Sequence, residues 1–539
     1  MLSPQNRPQR LASLEATLFD VAVIGGGITG AAVARDAAAR GLSVALLERE
    51  DWAAGTSWRS TKLVHGGLRY LETGQVGLVF ESLAERALLM QAAPHLVRPA
   101  DFLLPAFSGR GRPRWQMAAG LTAYDLLSLG RAPSFHRRLS RTDLVRRERL
   151  LESPELLSGA LYADGRTDDA RLTLENVIDA ASLGAAAVTG LQVEGLSCSR
   201  GSIDGISARD RESGQGMQIR ARAVVNAAGP WGDRVRRMED VAAPELLRLS
   251  RGAHLTVPAS RLPLSEIVAF PFADGRLLFG VPQGAVTMLG TTDTDFAGSP
   301  DEVFAEPSDV AYLLAAARQT FPSAALSERD VVATFAGLRP LVRQPGRSLE
   351  ETSREEAITV SEGGLVTVTG GKLTTHRRMA EKAIDRVARL LERQGVAVSA
   401  CATRGRPFPG APRGSFAREE EAATHLGRRY GRRAADVIAL AAESVSFASP
   451  LVDGLPDIEA EIVFAARHED ARSLSDALVR RTHLFWQAPR QGLECAERAA
   501  SLMARELGWG AASIARQLDA YAAEVDRSRR FRTPRGSPR

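Results

Sequence analysis

Cysteine is scarce in this 539-residue chain: Cys198, Cys401 and Cys495 lie far apart and form no C-x-x-C. That excludes a disulfide framework and a cysteine-ligated zinc site, and it predicts a reducing, cytoplasmic setting. No His, Cys or carboxylate spacing calls for a metal. No apolar run approaches the length of a membrane span. Residues 1–16 carry Arg, Pro and Gln without an apolar h-region, so no signal peptide is expected. The folded region holds no long basic block, and a formal net charge of +5 is small for this length. Nucleic acid is therefore not an expected partner. Lysine is nearly absent, occurring only at 62, 372 and 382. A chain that otherwise uses arginine, yet keeps Lys62 and Lys372 inside Gly- and Thr-rich stretches, suggests two places that need a compact cation rather than a planar fork.

What is present is ordinary in bulk: 44% apolar and 25% charged residues, as in a soluble globular protein. The length exceeds a single core and predicts two or three domains. The informative stretch is DVAVIGGGITGAAVARDAAARGLSVALLERE, residues 20–50. An apolar run (Val21 to Ile24) enters a glycine turn, an Ala-rich helix follows, and a second apolar run ends at Glu48. Gly25, Gly27 and Gly30 fit G-x-G-x-x-G: a tight turn, close approach of a pyrophosphate, and close helix–strand packing. Free N–H groups at the helix start face the phosphates, and Glu48 is placed for a ribose hydroxyl. Strand, glycines, helix and acid in this order predict a dinucleotide site.

Helical periodicity marks 76–92, which ends before Pro94, and 170–183. Short apolar runs at 185–195 and 203–208 precede a buried strand, Ala223 to Asn226, that runs into AAGPWG. From 253 to 292, short β-like runs between Pro, Gly and Asp turns predict an antiparallel sheet. A helix at about 307–320, a strand at 364–370 and a helix at about 374–394 follow. RGRPFPGAPRG reads as a linker. Beyond it, helical segments at about 416–427, 432–445, 456–471, 473–484, 490–507 and 511–524 predict an all-α C-terminal domain. The first sixteen residues and the basic tail 526–539 read as disordered.

Three segments carry polar chemistry among glycines: GTSWRSTKLVHGGLRYLE (55–72), VVNAAGPWG (224–232) and TGGKLTTHR (369–377). The last has a glycine pair before a helix start, whose N–H groups suit the negative edge of a reduced flavin. With TDDARL (167–172), RGAHLTVP (251–258), LGTTDTDF (289–296), FAGLRPL (335–341) and SREEAI (353–358), these stretches resemble the FAD-dependent, quinone-linked glycerol-3-phosphate dehydrogenases. The resemblance runs from about residue 18 to about 380 and continues in RHEDARSLSDALVRRT (467–482). Two departures stand out: Trp58 where the family has a small Ser, and His376 where Tyr is common.

The resemblance implies an FAD-binding Rossmann-like domain over 17–400 (about 17–100, 150–235 and 335–400). An antiparallel-sheet substrate domain is inserted at about 100–150 and 236–335. A linker at 401–415 and the helical domain at 416–525 follow. It implies FAD contacts from Gly25, Gly27, Ile28, Gly30, Glu48, Thr56, Ser57, Ser60, Lys62, Leu63, His65, Gly66, Gly67, Ala228, Gly229, Gly371, Lys372, Leu373 and Thr374.

Oxidising a secondary alcohol by flavin needs a phosphate clamp, a hydroxyl-polarising group and close placement of the C–H bond. Arg339 and Arg354 are the candidate phosphate forks, with Arg69 behind them. His65 is the first candidate proton acceptor, and Lys372 a polariser of the hydroxyl or of the flavin edge. Tyr70 is a substrate hydrogen-bond candidate. His254 reads first as a strand histidine with satisfied bonds, and second as a substrate-side residue. Asp168 and Asp169 read as a capped helix start.

The implied substrate is sn-glycerol 3-phosphate, oxidised to dihydroxyacetone phosphate, and the implied acceptor is a membrane quinone. That acceptor requires contact with an anionic membrane surface, at the cytoplasmic face of the inner membrane. Residues 110–138, with Arg at both ends of a Trp-, Leu- and Tyr-bearing helix, offer such a surface; an ordinary helix packed on the sheet is the alternative. A homodimer is compatible with the chain. Oxygen as acceptor, an amine or amino-acid oxidase, and an inert flavin-binding module stay open as other readings.

Overall fold

The apolar runs assemble into two sheets in the computed structural model, which describes residues 2–72, 74–344, 346, 355–412 and 424–532. The first sheet holds β1 (Leu18–Ile24), β2 (Val44–Leu47), β7 (Ala186–Val188), β8 (Leu191–Ser199), β9 (Ser202–Asp210), β10 (Gly216–Asn226), β17 (Ala357–Val360) and β18 (Val366–Thr369). Its order is β17-β18-β10-β1-β2-β7, with β9 and β8 continuing from β10. β18, β10, β1, β2 and β7 run parallel, in registers such as Val21↔Ala223 and Val21↔Val44.

Parallel strands are covered on both faces, and so they read as near-continuous apolar runs. One face lies under α2 (Ile28–Ala39) and the helices Asp169–Ser182 and His376–Glu392, through Val33, Ala37, Val177, Met379 and Val387. The other face meets α1 (Arg7–Ala16), β8 and β9. The expectation of disorder over 1–16 therefore fails for the described residues from 2 onward. Leu14 is fully buried beside Phe19 and Val188. Arg7 donates to Asp210 at 2.6 Å and to the Thr189 carbonyl at 3.2 Å. A ten-residue helix with one apolar face finds a groove that the sequence alone does not display.

The second sheet holds β3 (Leu63–Val64), β4 (Arg98–Phe107), β5 (Arg137–Ser140), β6 (Leu156–Arg166), β11 (Leu247–Pro258), β12 (Ile267–Pro271), β13 (Leu277–Gln283), β14 (Val286–Gly290), β15 (Thr294–Asp295) and β16 (Ala333–Val342). It is antiparallel except where β12 meets β4. β11 and β16 pair from Leu247↔Val342 to Thr256↔Ala333. The expected boundaries at 150 and 335 shift accordingly. β3, β6 and β16 belong to this sheet, because their partners lie in it and not in the parallel one.

The predicted helices at 76–92 and 307–320 form as Val76–Ala92 (α3) and Pro307–Thr320. Beyond residue 424 lie the helices His425–Tyr430, Ala434–Glu443, Glu459–His468, Ala496–Leu507 and Ala511–Arg529. Most of the expected 416–427 helix lies outside the described residues. The expected helix at 473–484 is interrupted. A wide π turn, Asp476–Arg481, places both Arg480 and Arg481 on Asp51, at 2.6 and 2.7 Å. Within the expected disordered tail, residues 526–532 are packed: Ser528 accepts from the Thr334 amide at 2.9 Å, and Phe531 is buried; 533–539 lie outside the described residues. The described part of the expected linker, 401–412, is packed as well, with Phe408 buried and the Gly410 amide on Glu175.

Charge joins the helical domain to the first. Arg171, 1% exposed, forks onto Glu469 at 2.6 and 2.7 Å, and Arg433 reaches the same carboxylate at 3.2 Å. Burial alone would raise the Glu469 pKa; Arg171 and Arg433 hold it below the ordinary carboxylate value. Removing one partner of a buried pair leaves an uncompensated charge. Arg171→Met should therefore lower unfolding stability by about 3–5 kcal/mol. Urea unfolding checks this, and a loss under about 1 kcal/mol would show that Arg433 alone suffices.

Candidate active site

The glycine turn behaves as the spacing predicts. Gly25 has φ +108°, and a Cβ there would meet the Ala227 carbonyl oxygen at 2.6 Å. At Gly30 a Cβ would fall 1.9 Å from the Gly25 carbonyl oxygen, so α2 sits directly on the turn. Gly30 does not itself face the cleft; its part is the packing. Glu48, one residue beyond β2, accepts from the Gly26 amide at 2.6 Å and the Glu50 amide at 2.8 Å. Desolvation raises its pKa against those two bonds. Ser57 accepts from the Ile28 amide at 2.8 Å.

These residues open one continuous cleft of about 1380 Å³. Single small-molecule pockets run to about 1,000 Å³, so the volume suits an extended ligand. Gly25, Gly27, Ile28, Glu48, Thr56, Ser57, Ser60, Leu63, His65, Gly67, Ala228, Gly229, Gly371, Lys372, Leu373 and Thr374 line it. So do Arg69, Tyr70, His254 and Arg339. Arg354 lies outside the described residues.

Besides Gly30, two more expected cofactor contacts do not line the cleft. Lys62 is 3% exposed and turns away from the cleft, donating to Asp169 at 2.6 Å and to the Trp58 carbonyl at 3.0 Å. Ser60 shares the same carboxylate. Lys62 is compact because it fills a buried ion pair, where no ligand needs it. Gly66 is buried too: a Cβ there would meet the Tyr124 hydroxyl at 2.4 Å. Asp168 caps its helix from the Arg171 amide, as the sequence suggests, and also holds His483 at 2.7 Å.

The polar end of the cleft is built where β11 and β16 pair. Arg339, on β16, lies against the backbone of Gly252, where a Cβ would stand 2.3 Å from its Nη2. It donates to Asp293 at 3.1 Å, to the Thr291 hydroxyl at 2.9 Å and to the Thr292 carbonyl at 3.2 Å. Arg276 also lines the cleft and donates to the Asp293 carbonyl at 2.7 Å. Thr291, Asp293, Gly252 and Arg276 are site residues that the sequence reading did not assign. The LGTTDTDF stretch was the signal for the first two.

From the other side, Lys372 brings its Nζ to 3.7 Å from the centre of the Tyr70 ring and donates to Ser82 at 3.3 Å. The His65 amide donates to the Thr374 hydroxyl, which in turn donates to the His65 carbonyl. That exchange fastens the GGKLTT loop to the HGG loop. His254 is buried, stacked on Phe335, and bonded through Nε2 to the Thr61 hydroxyl at 2.9 Å. Its Nδ1 has no hydrogen-bond partner among the described residues. Burial, with the nearby Arg339 and Lys62 charges, pushes its pKa down to about 3, so the ring is neutral. His254 is thus half satisfied, and it lines the cleft.

The two departures are packing changes. Trp58 is 2% exposed and packs on Phe335 and, edge-on, on Phe485 of the helical domain. His376 is buried at the start of its helix, bonded to the Leu373 carbonyl at 2.7 Å, and burial lowers its pKa to about 4. It pins the loop that carries Lys372.

Residues 20–377 match the FAD dependent oxidoreductase family, and residues 401–514 match the C-terminal domain of alpha-glycerophosphate oxidase. The chain is 34% identical to the aerobic glycerol-3-phosphate dehydrogenase of Staphylococcus aureus, over 98% of this chain and 97% of that protein. It superposes on the glycerol-3-phosphate dehydrogenase from Bacillus halodurans complexed with FAD, with TM-score 0.81, 31% identity and 98% of both chains covered. The L-alpha-glycerophosphate oxidase from Mycoplasma pneumoniae shares the fold over 72% of this chain and 98% of its own, with TM-score 0.56 and 17% identity.

The Lys62 correction is testable. Lys62→Met should strand Asp169 and cost about 3–5 kcal/mol of stability. The folded fraction should still take up FAD in the wild-type ratio of flavin to protein absorbance. Loss of flavin affinity without loss of stability would return Lys62 to the site.

Proposed function

The chain belongs to the FAD dependent oxidoreductase family, in the branch of the aerobic glycerol-3-phosphate dehydrogenases and glycerophosphate oxidases, and from that premise we propose that it oxidises sn-glycerol 3-phosphate to dihydroxyacetone phosphate and passes the electrons to a membrane quinone. The observation that carries this reading is the gathering of Arg339, Arg69, Tyr70, His65 and Lys372 along a cleft that also holds a dinucleotide-type glycine turn. FAD fits the residues present: the cleft is large enough for an extended ligand, and Gly27 lines it where a Cβ would already stand 3.1 Å from the Ser57 hydroxyl oxygen.

When bound, FAD supplies a two-electron acceptor for the hydride that leaves C2 of the substrate. The chain's own groups do the rest. Arg339 is held in place by Asp293, Thr291 and the Thr292 carbonyl, and its planar fork suits a phosphate dianion. Arg69 is exposed at the cleft and adds positive charge. Arg354 is proposed as the second fork. Lys372 and Tyr70 orient the substrate hydroxyl, and His65 accepts its proton. His254, neutral and beside Arg339, offers a ring nitrogen rather than a second charge.

The quinone reading draws on a surface next to this site. α4 (Arg114–Leu127) exposes Trp115 and Leu126 by 74% and 70%, and Leu129 and Phe135 follow at 69% and 68%. Arg112, Arg114, Arg137 and Arg138 are exposed around them. An apolar face with basic flanks is what an anionic bilayer surface attracts. Among the described residues no helix is long and apolar enough to cross a membrane, and the proposed attachment is peripheral, at the cytoplasmic face.

Arg339→Ala should leave the flavin bound and raise the KM for glycerol 3-phosphate about 100-fold, the effect of about 3 kcal/mol of charge-assisted hydrogen bonding. Flavin loss instead would place Arg339 on the cofactor. With an oxygen electrode, glycerol 3-phosphate alone should give little oxygen uptake; rapid uptake without dye or quinone would make the protein an oxidase. Trp115→Glu with Leu126→Glu should weaken sedimentation with anionic vesicles about tenfold or more and slow quinone turnover. Dye-coupled turnover should stay normal. Unchanged vesicle binding would remove α4 from the membrane.

A further inference from the structure

Asp301 lies between β15 and the helix Pro307–Thr320, in a stretch that leaves the second sheet and reaches the first. Its carboxylate accepts three bonds from that first domain. Arg49 donates at 2.9 Å, the Trp231 indole N–H at 2.8 Å and Arg234 at 2.7 Å. Arg49 also lies over the Trp231 ring, 5.0 Å from its centre. Trp231 in turn sits beside Gly55, where a Cβ would meet the ring at 3.2 Å. Ser299 adds a hydroxyl to Arg234 at 3.1 Å.

The position of the donors gives this cluster its meaning. Arg49 follows β2, and Trp231 and Arg234 follow β10. In the sheet, β1 lies between β2 and β10, and the glycine turn follows β1. A link from the end of β2 to the end of β10 therefore spans the end of β1. Arg49, Trp231, Arg234, Pro300 and Asp301 all line the cleft that Gly27 and Glu48 line. Nothing in the catalytic proposal uses them. A purely structural tie between domains would have no reason to converge on this one strand end, with an aromatic ring and a carboxylate facing the cleft.

We propose that Asp301 is a clasp: it joins the ends of β2 and β10 over the dinucleotide site and sets how fast bound FAD is released. The clasp acts by position, since it closes a route rather than touching the reacting atoms. Its three bonds are partly exposed, with 38% of the Asp301 side chain accessible. Exposed ion pairs are weakened by salt, so the clasp is salt-sensitive where the buried site is not.

The test uses the purified holoenzyme and the fluorescence of FAD released after dilution. Asp301→Ala should release FAD about tenfold faster than wild type, and Asp301→Glu should recover part of the difference. Raising ionic strength should speed release from the wild type and leave Asp301→Ala nearly unchanged. Trp231→Phe removes one donor and keeps the ring, so it should give a smaller acceleration, about threefold; it also serves if Asp301→Ala does not fold. Arg261→Ala breaks a remote pair with Asp330 and is the control for general loosening. A release rate within twofold of wild type for both Asp301→Ala and Trp231→Phe would overturn the clasp. So would an equal acceleration in Arg261→Ala.

Discussion

The contact between Gly30 and the carbonyl of Gly25 is the constraint from which the site follows. It brings α2 down onto the end of β1 more closely than any side chain would permit. With the helix seated there, the ends of β2 and β10 lie on either side of the turn, and Glu48 and Ala228 face one cleft. A helix start, the Glu48 carboxylate and an open strand end then share one crevice, as open parallel sheets arrange it. The second sheet only completes that crevice. It adds Arg339 and His254 from strands that pair side by side, so their spacing is set by β-register rather than by loops.

Buried charge holds the domains in that relation. Lys62 with Asp169, Arg171 with Glu469, and Asp51 with Arg480 and Arg481 all cross between segments distant in sequence. Each is nearly or wholly out of solvent, so each depends on an exact partner more than it adds net stability. Such pairs specify a geometry. The helical domain is thus part of the cleft: Arg480, Glu524 and Arg527 line it. Trp58, wedged against Phe335 and Phe485, fills the same junction with apolar area.

The division of labour along the cleft follows from burial. The polar end presents an arginine with a fixed fork, a neutral histidine and a lysine laid on a tyrosine ring. Elsewhere the cleft is lined by Gly25, Gly27, Glu48 and the Asp301 cluster. Hydrogen bonds from Arg234, Trp231 and Arg49 outweigh partial burial and hold the Asp301 pKa at about 2, so it is charged throughout the neutral range.

The sequence by itself determined what local periodicity and local turn chemistry can carry. The glycine turn, Glu48, the helices at 76–92, 170–183 and 307–320, and the all-α C-terminal part are readable because each rests on neighbours a few residues away. The GGK and HGG loops were readable as polar segments for the same reason. Only the tertiary structure decided which polar residues face the cleft. Lys62 and Lys372 look alike in sequence, yet one meets Asp169, 107 residues on, and the other meets Tyr70. It also decided that residues 7–16 form a helix, that β6 and β16 belong to the second sheet, and that Asp301 reaches Arg49 and Trp231. Those outcomes depend on partners remote along the chain, and a side chain's role is fixed by the partner that desolvates or neutralises it.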